Sequence, residues 1–124
     1  MYGIRKPSAE MDANHYTYKQ WFQDVYRFIF SKTNITSITS AYTVVTDVYY
    51  IRVDTTSGGV TITLPTAVDS AGRELVIKKI NAGANNVTID GYSSETIDGS
   101  ASIVFNTQYE NYTLISNGTN WEKI

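Results

Sequence analysis

The sequence predicts an all-β fold: a small antiparallel β-sandwich or jelly-roll-like module that follows an N-terminal helical arm. Short segments after residue 40 alternate apolar and polar residues with a period of two, which is the side-chain period of a strand. Turn-forming residues separate these segments at regular intervals, as in sandwiches and barrels. The composition, with ten tyrosines, two prolines and no cysteine, favours β structure that is stabilised by packing alone.

The first forty residues have a different pattern. Residues 1–10 contain Gly3 and Pro7 without periodicity, which indicates an extended tail. From Asp12, a residue type that caps helix N-termini, to about Ser31, apolar residues recur with helical spacing and predict a helix. The apolar stripe consists of Tyr18, Trp21, Phe22, Val25, Tyr26 and Ile29.

The last turns of this predicted helix are apolar on more than one face, because Phe28 and Phe30 lie away from the stripe. One domain core would not cover both faces. Two interpretations stay open: an aromatic-rich core helix, or an arm that docks or oligomerises. For an arm, the predicted anchoring or oligomer-interface residues are Trp21, Phe22, Val25, Tyr26, Phe28, Ile29 and Phe30.

The domain boundary is predicted at the Thr/Ser-rich residues 33–40, which indicate a connector, because the period changes after them. The predicted organisation is an anchoring or oligomerisation arm over 1–40 and a β-sandwich knob domain over 41–124. Asn117-Gly118 predicts the turn of a final hairpin that leads to Trp121. The predicted strands are 42–46, 48–54, 59–64, 73–80, 86–90, 102–106, 109–116 and 120–124.

Few residues offer catalytic chemistry. His15 is the only histidine and lies early in the predicted arm, not in the β domain, so we expect neither a Ser/His/Asp triad nor a histidine-rich metal site in one chain. Acidic residues lie beside Gly, Ser or Thr at strand ends, where turns explain them, and glycan hydrolysis by a carboxylate pair is the alternative. We therefore predict that the protein is not an enzyme and that it has no cofactor and no metal site. The carboxylates considered are Asp54, Asp90, Glu95 and Asp98.

One phrase, Thr-Ile-Asp-Gly, occurs at 88–91 and again at 96–99. We interpret it as two strand-to-turn transitions, since Asp and Gly are common turn residues. The alternative is a loop in which Asp90, Glu95 and Asp98 supply oxygen ligands to calcium, although the spacing matches no strong calcium-binding template.

The charge of the chain argues against nucleic acid as a partner. Ten Lys+Arg against twelve Asp+Glu give a net charge of −2, which provides no cationic field for phosphates. The densest basic group is Arg73, Lys78 and Lys79, which we attribute to an edge strand that uses lysine against sheet-to-sheet pairing. No apolar run is long enough for a signal peptide or a membrane span, so we expect no membrane insertion.

Exposed tyrosines are the feature that favours recognition. Their aromatic faces would contact a sugar or a protein partner, although packing across strands explains several of them equally well. The residues concerned are Tyr42, Tyr49, Tyr50, Tyr92, Tyr109 and Tyr112.

An ordered series of phrases runs from Tyr49 to Ile124. It comprises Tyr50–Asp54, Val60–Pro65, Ala71–Arg73 leading into Val76–Lys79, Asn86–Asp90, Glu95–Gly99 and Leu114–Trp121. This series resembles a small β module found near the ends of bacteriophage tail-fibre and other virion appendage proteins. The resemblance implies a β-structured, often trimeric part of the virion exterior. It supplies no functional residues, because the phrases are strands and turns that maintain a fold.

Modules of this kind usually cap long fibres, whereas here the chain reads as complete from Met1 and its arm has only about forty residues. We therefore expect a virion structural protein, a capsid decoration protein or short head fibre that projects a trimeric β knob from the particle. Its expected partners are further copies of the chain, and a capsid or tail protein bound through the arm. The alternative is a receptor-binding tail-fibre or tail-tip module that recognises a host surface glycan.

Overall fold

The computed structural model describes residues 19–23, 25 and 34–124. The chain divides into two compact units, Met1–Lys32 and Thr33–Ile124. The second unit is all-β, as predicted, with a short 3-10 helix at Val68–Ser70. Its strands are β1 (Asn34–Ile38), β2 (Tyr42–Thr43), β3 (Val48–Val53), β4 (Val60–Thr63), β5 (Glu74–Lys79), β6 (Val87–Asp90), β7 (Ser102–Phe105), β8 (Asn111–Ser116) and β9 (Trp121–Lys123).

These strands form two sheets that share one hydrophobic core. Sheet A has the order β1-β3-β5-β8-β9, and sheet B has the order β2-β4-β6-β7. From β1 to β6 the chain alternates between the two sheets. It therefore makes three successive coils, β1–β2, β3–β4 and β5–β6, and each coil adds one strand to sheet A and one strand to sheet B. Fully buried side chains such as Ile77 of sheet A and Ile89 of sheet B fill the core. Each contributes about 1.5–3 kcal/mol by leaving water.

The predicted antiparallel, jelly-roll-like arrangement is wrong for the coiled part of this unit. The pairs β1–β3, β3–β5, β2–β4 and β4–β6 are parallel, whereas β5–β8, β6–β7 and β8–β9 are antiparallel. Two parallel strands are connected here through a strand of the other sheet, not through a helix on the sheet face. The strands therefore keep the alternation typical of a sheet with one buried face, and alternation does not distinguish the two arrangements.

The predicted strand positions agree with the structure from β2 onward, because each observed strand lies within one predicted segment. The connector interpretation of residues 33–40 is wrong for Asn34–Ile38, which form β1 at the edge of sheet A. An edge strand is half-exposed, so its Thr and Ser residues resemble a linker in the sequence. The β unit therefore begins before residue 41.

In the first unit, residues 19–23 and 25 are helical and fall within the predicted helix. Trp21 and Val25 are half-buried, whereas 56% of the surface of Phe22 is exposed. In the described part of the chain, no helix is both long and apolar enough to cross a bilayer. Outside the described residues lie the tail 1–10, Asp12, His15, Tyr18, Tyr26, Phe28, Ile29 and Phe30.

Candidate functional site

The carboxylate of Glu95 stabilises the connection between β4 and β5. Its Oε1 accepts a hydrogen bond from the Ala67 amide at 2.8 Å, and its Oε2 accepts one from the Thr66 hydroxyl at 3.0 Å. Both bonds fix the chain immediately before the 3-10 helix. A carboxylate that is partly buried and bonded in this way is explained by the fold.

The roles of the other three carboxylates differ from that of Glu95. Asp54 accepts hydrogen bonds from the hydroxyl and the amide of Thr56, at 2.6 and 2.8 Å, and these bonds lower the pKa of Asp54. Asp98 lies 3.9 Å from the ammonium of Lys123, and Asp90 ends β6. Among the residues that the structure describes, no three His, Cys, Asp or Glu side chains are grouped to hold a metal ion.

The two Thr-Ile-Asp-Gly phrases have different structures. Gly91, after β6, has no room for a side chain, because a Cβ there would collide with the backbone carbonyl of Glu95. In the second phrase, Asp98 and Gly99 have φ values of +48° and +85° between the bridged residues Ile97 and Ser100. Two consecutive positive φ angles are the feature of a type I′ hairpin turn. The strand-to-turn interpretation therefore accounts for both phrases.

The tyrosines considered for recognition divide between the surface and the edge of the core. Tyr92 and Tyr109 are exposed, with 50% and 59% of their surface accessible. Tyr109 also has a φ of +67°, which is unusual for a bulky residue, and its ring lies 5.3 Å from the ammonium of Lys78. The partly buried members are Tyr42, Tyr49, Tyr50 and Tyr112.

Lys79 contradicts the edge-strand explanation of the basic residues. It belongs to β5, the central strand of sheet A, and its side chain is fully buried. Its ammonium donates hydrogen bonds to the carbonyls of Asn81 and Gly83 at 2.7 and 3.0 Å. Lys79 therefore stabilises the loop after β5 and is not available to a ligand.

A cleft of about 410 Å³ lies between the turn that follows β2 and the connection from β4 to β5. Arg73 forms part of its wall, and Nη2 of its guanidinium donates to the carbonyls of Val45 and Val48 at 2.6 and 2.7 Å. Burial lowers the pKa of Arg73, and the carboxylate of Asp47 opposes this effect. In the described part of the chain, Nη1 and Nε of Arg73 have no hydrogen-bond partner.

The other walls of the cleft combine apolar and polar groups. Val44, Val45 and Pro65 supply apolar surface, and Asp69 supplies an exposed carboxylate. A fixed guanidinium provides donors, a carboxylate provides acceptors, and the apolar wall provides contact area, which together suit a polyhydroxylated ring. The volume lies within the range of about 300–1,000 Å³ that is typical of small-molecule sites.

Sequence reasoning missed this cleft. Its walls come from two segments that are separated along the chain, and only the fold brings Arg73 to the turn after β2. The available signal is a lone arginine before a strand, and in the sequence it stands close to two lysines whose contacts lie elsewhere.

No protein-family model, curated protein or solved structure matches this chain. Its function must therefore be inferred from its own residues and geometry.

Proposed function

We propose that this protein is a virion structural protein, a capsid decoration protein or short head fibre. In this proposal residues 1–40 attach it to the particle, and the β unit projects from the exterior surface. One observation supports the proposal most: the phrases that resemble the virion appendage module are successive strands and turns of one two-sheet unit. They supply β3 to β6, the turn at Ile97 and the β8–β9 hairpin with the buried Trp121. The residues that carry the resemblance therefore belong to the strands and turns of the fold and are not scattered over its surface.

The proposed anchoring role of the arm is supported by its composition. Of the predicted anchoring residues, Trp21, Phe22 and Val25 are described, and they lie on one short helical stretch. Phe22 remains more than half exposed. Large aromatic side chains are enriched at protein–protein interfaces, where their burial contributes to binding.

Deleting residues 1–30 is expected to abolish attachment to the particle while the β unit stays folded. The reason is that the predicted anchoring residues are removed, whereas the two sheets and their core are retained. The measurement is co-sedimentation of the purified protein with virus particles that lack it, and a cooperative thermal transition serves as the folding control. A truncated protein that still co-sediments would contradict the proposed role of the arm.

A second candidate function is supported by the cleft beside Arg73. In this alternative, the protein is a receptor-binding module of a tail fibre or tail tip and holds a host surface glycan. The tyrosine-based version of this idea has less support, because four of the six tyrosines are partly buried. The cleft instead offers the donors of Arg73, the carboxylate of Asp69 and an apolar wall.

If the cleft binds a glycan, Thr46→Trp is expected to reduce binding by about tenfold or more, which corresponds to about 1.4 kcal/mol. The indole would occupy space at the cleft wall that Thr46 now lines. The measurement is binding to a glycan array, with Thr107→Trp, a change at another exposed loop position, as the matched control. An array without binding to the unmodified protein, or equal binding by both variants, would remove this candidate.

A further inference from the structure

The cleft beside Arg73 contains a polar group that the fold leaves without a partner. Ser70 lines the cleft, and only 7% of its surface is accessible to solvent. Every fully enclosed side-chain nitrogen or oxygen among the described residues has a hydrogen-bond partner, whereas in the same residues none is found for the hydroxyl of Ser70. This hydroxyl is therefore not enclosed, and the space that it opens to is the cleft. A buried hydroxyl is costly unless water or a ligand supplies its hydrogen bond.

Three further groups complete a set of hydrogen-bonding partners around Ser70. Asp69, the preceding residue, has an exposed carboxylate that makes no hydrogen bond or ion pair within the described part of the chain. Arg73 contributes the Nη1 and Nε donors that its bonds to the turn after β2 do not use. Thr46 contributes an exposed hydroxyl from the opposite wall. The cleft therefore presents two hydroxyls, a carboxylate and a guanidinium to the same small volume.

Both walls of the cleft are fixed by hydrogen bonds within the β unit. In the wall between β4 and β5, the Nε1 of Trp121 donates to the carbonyl of Pro65 at 3.1 Å, and the hydroxyl of Ser116 donates to the carbonyl of Ala67 at 2.7 Å. The opposite wall, the turn after β2, is held by the guanidinium of Arg73. Binding to walls that are already ordered loses less conformational entropy than binding to mobile loops.

The charges around the cleft are predominantly negative. Arg73 is the basic residue among those that line it, while Asp69 lies in its wall and Glu95 accepts the hydroxyl of the lining residue Thr66. Burial lowers the pKa of Arg73, and the carboxylate of Asp47 acts in the opposite direction, so it lies close enough to balance part of the guanidinium charge. These groups include one cation and three carboxylates. A ligand with a carboxylate, sulfate or phosphate would therefore be repelled, whereas an uncharged ring of hydroxyls would not.

We propose that this cleft binds a neutral hexose ring of a glycan, with Ser70 and Asp69 on its hydroxyls and the remaining donors of Arg73 on a further oxygen, and that it excludes acidic sugars. Sugar hydroxyls both donate and accept, which matches a site that combines a carboxylate, hydroxyls and a guanidinium. The apolar wall at Val45 and Pro65 would contact the C–H groups of the ring. Such binding presupposes the second candidate function, the glycan-binding module, and names the class of sugar that it would hold.

The test is binding of the full-length protein to an array of glycans that end in neutral hexoses, in sialic acid or in uronic acids. Neutral glycans are expected to bind at least about tenfold more tightly than acidic ones, because the carboxylates of the cleft repel the acidic sugars. Ser70→Ala is expected to weaken the binding of neutral glycans by about three- to tenfold, since one hydrogen bond is lost. Ser102→Ala, on β7 at the edge of sheet B away from β2, is the matched control and is expected to bind like the unmodified protein.

Removing negative charge is expected to change the selectivity. The double variant Asp47→Asn/Asp69→Asn keeps the size of both side chains and leaves the charge of Arg73 in place, so acidic glycans are expected to gain at least about tenfold in affinity. Thermal unfolding of each variant is the folding control.

Three outcomes would overturn the proposal alone and leave glycan binding in place. They are a preference of the unmodified protein for acidic glycans, equal binding by the two serine variants, and unchanged selectivity in the double variant. Absence of any binding by the unmodified protein would remove the second candidate function together with the proposal. Attachment to virus particles is a separate measurement, so none of these outcomes affects the decoration or head-fibre proposal.

Discussion

Replacing Trp121 with alanine is expected to lower the free energy of unfolding by about 3–5 kcal/mol. The indole is fully buried in the core, and its Nε1 donates a hydrogen bond to the carbonyl of Pro65 at 3.1 Å. Trp121 also opens β9, where its amide donates to the carbonyl of Thr96. The substitution would leave a large cavity and an unsatisfied carbonyl. Small domains are stable by only about 5–15 kcal/mol, so this loss would remove a large share.

Urea denaturation followed by circular dichroism measures this effect. Trp121→Phe is the matched control, because it retains most of the ring volume and loses the hydrogen bond to Pro65. Its expected cost is about 1–3 kcal/mol, the range for leaving a buried polar group unpaired. An alanine variant as stable as the phenylalanine variant would show that the ring does not fill the core as described.

Replacing Lys79 with alanine is expected to cost a similar amount, about 3–5 kcal/mol. The aliphatic part of this side chain occupies the core side of β5, and its ammonium satisfies two loop carbonyls, those of Asn81 and Gly83. The substitution would therefore create a cavity and would also leave both carbonyls without their donor. The loop after β5 would lose the two hydrogen bonds that the Lys79 ammonium donates to it.

Lys79→Met distinguishes the two contributions, because methionine fills nearly the same volume but has no donor. We expect the methionine variant to be more stable than the alanine variant and less stable than the unmodified protein, by about 1–3 kcal/mol in the second comparison. Thermal and urea unfolding measure both differences. If both variants unfold like the unmodified protein, the buried lysine has no structural role.

The positions of strands β2 to β9 could be predicted because each depends on local sequence. The alternation in Val60-Thr61-Ile62-Thr63 indicates a strand with one buried and one outward face, and Asn117-Gly118 indicates a tight turn. In that turn, Gly118 has a φ of +93°, and the side chain of Asn117 accepts hydrogen bonds from the amides of Thr119 and Asn120. Such signals do not require knowledge of distant partners.

The pairing of the strands could not be predicted in the same way. The choice between parallel and antiparallel neighbours depends on which sheet the chain enters after each turn, and the side-chain pattern is the same in both cases. Strand β1 was missed for a related reason. Its half-exposed residues between Asn34 and Ile38 carry little apolar signal, and only pairing with β3 defines it as a strand.

The candidate site was the least predictable part of the molecule. The carboxylates considered as candidates in the sequence are explained by turns or by the hydrogen bonds of Glu95 to the β4–β5 connection. Nothing in the sequence indicates that Arg73 contacts the carbonyls of Val45 and Val48. Long-range contacts between loops determine this cleft. Composition and spacing describe single segments, so they do not reveal which loops meet.

Electron cryomicroscopy of the intact virus particle tests the central claim, that this protein is part of the particle's exterior, most directly. The density of the β unit, with its five-stranded and four-stranded sheets, would be fitted into the particle map. The account predicts this density at symmetry-related positions on the outside of the capsid. Density confined to the tail would contradict the decoration or head-fibre assignment, and particles without the density would contradict the central claim itself.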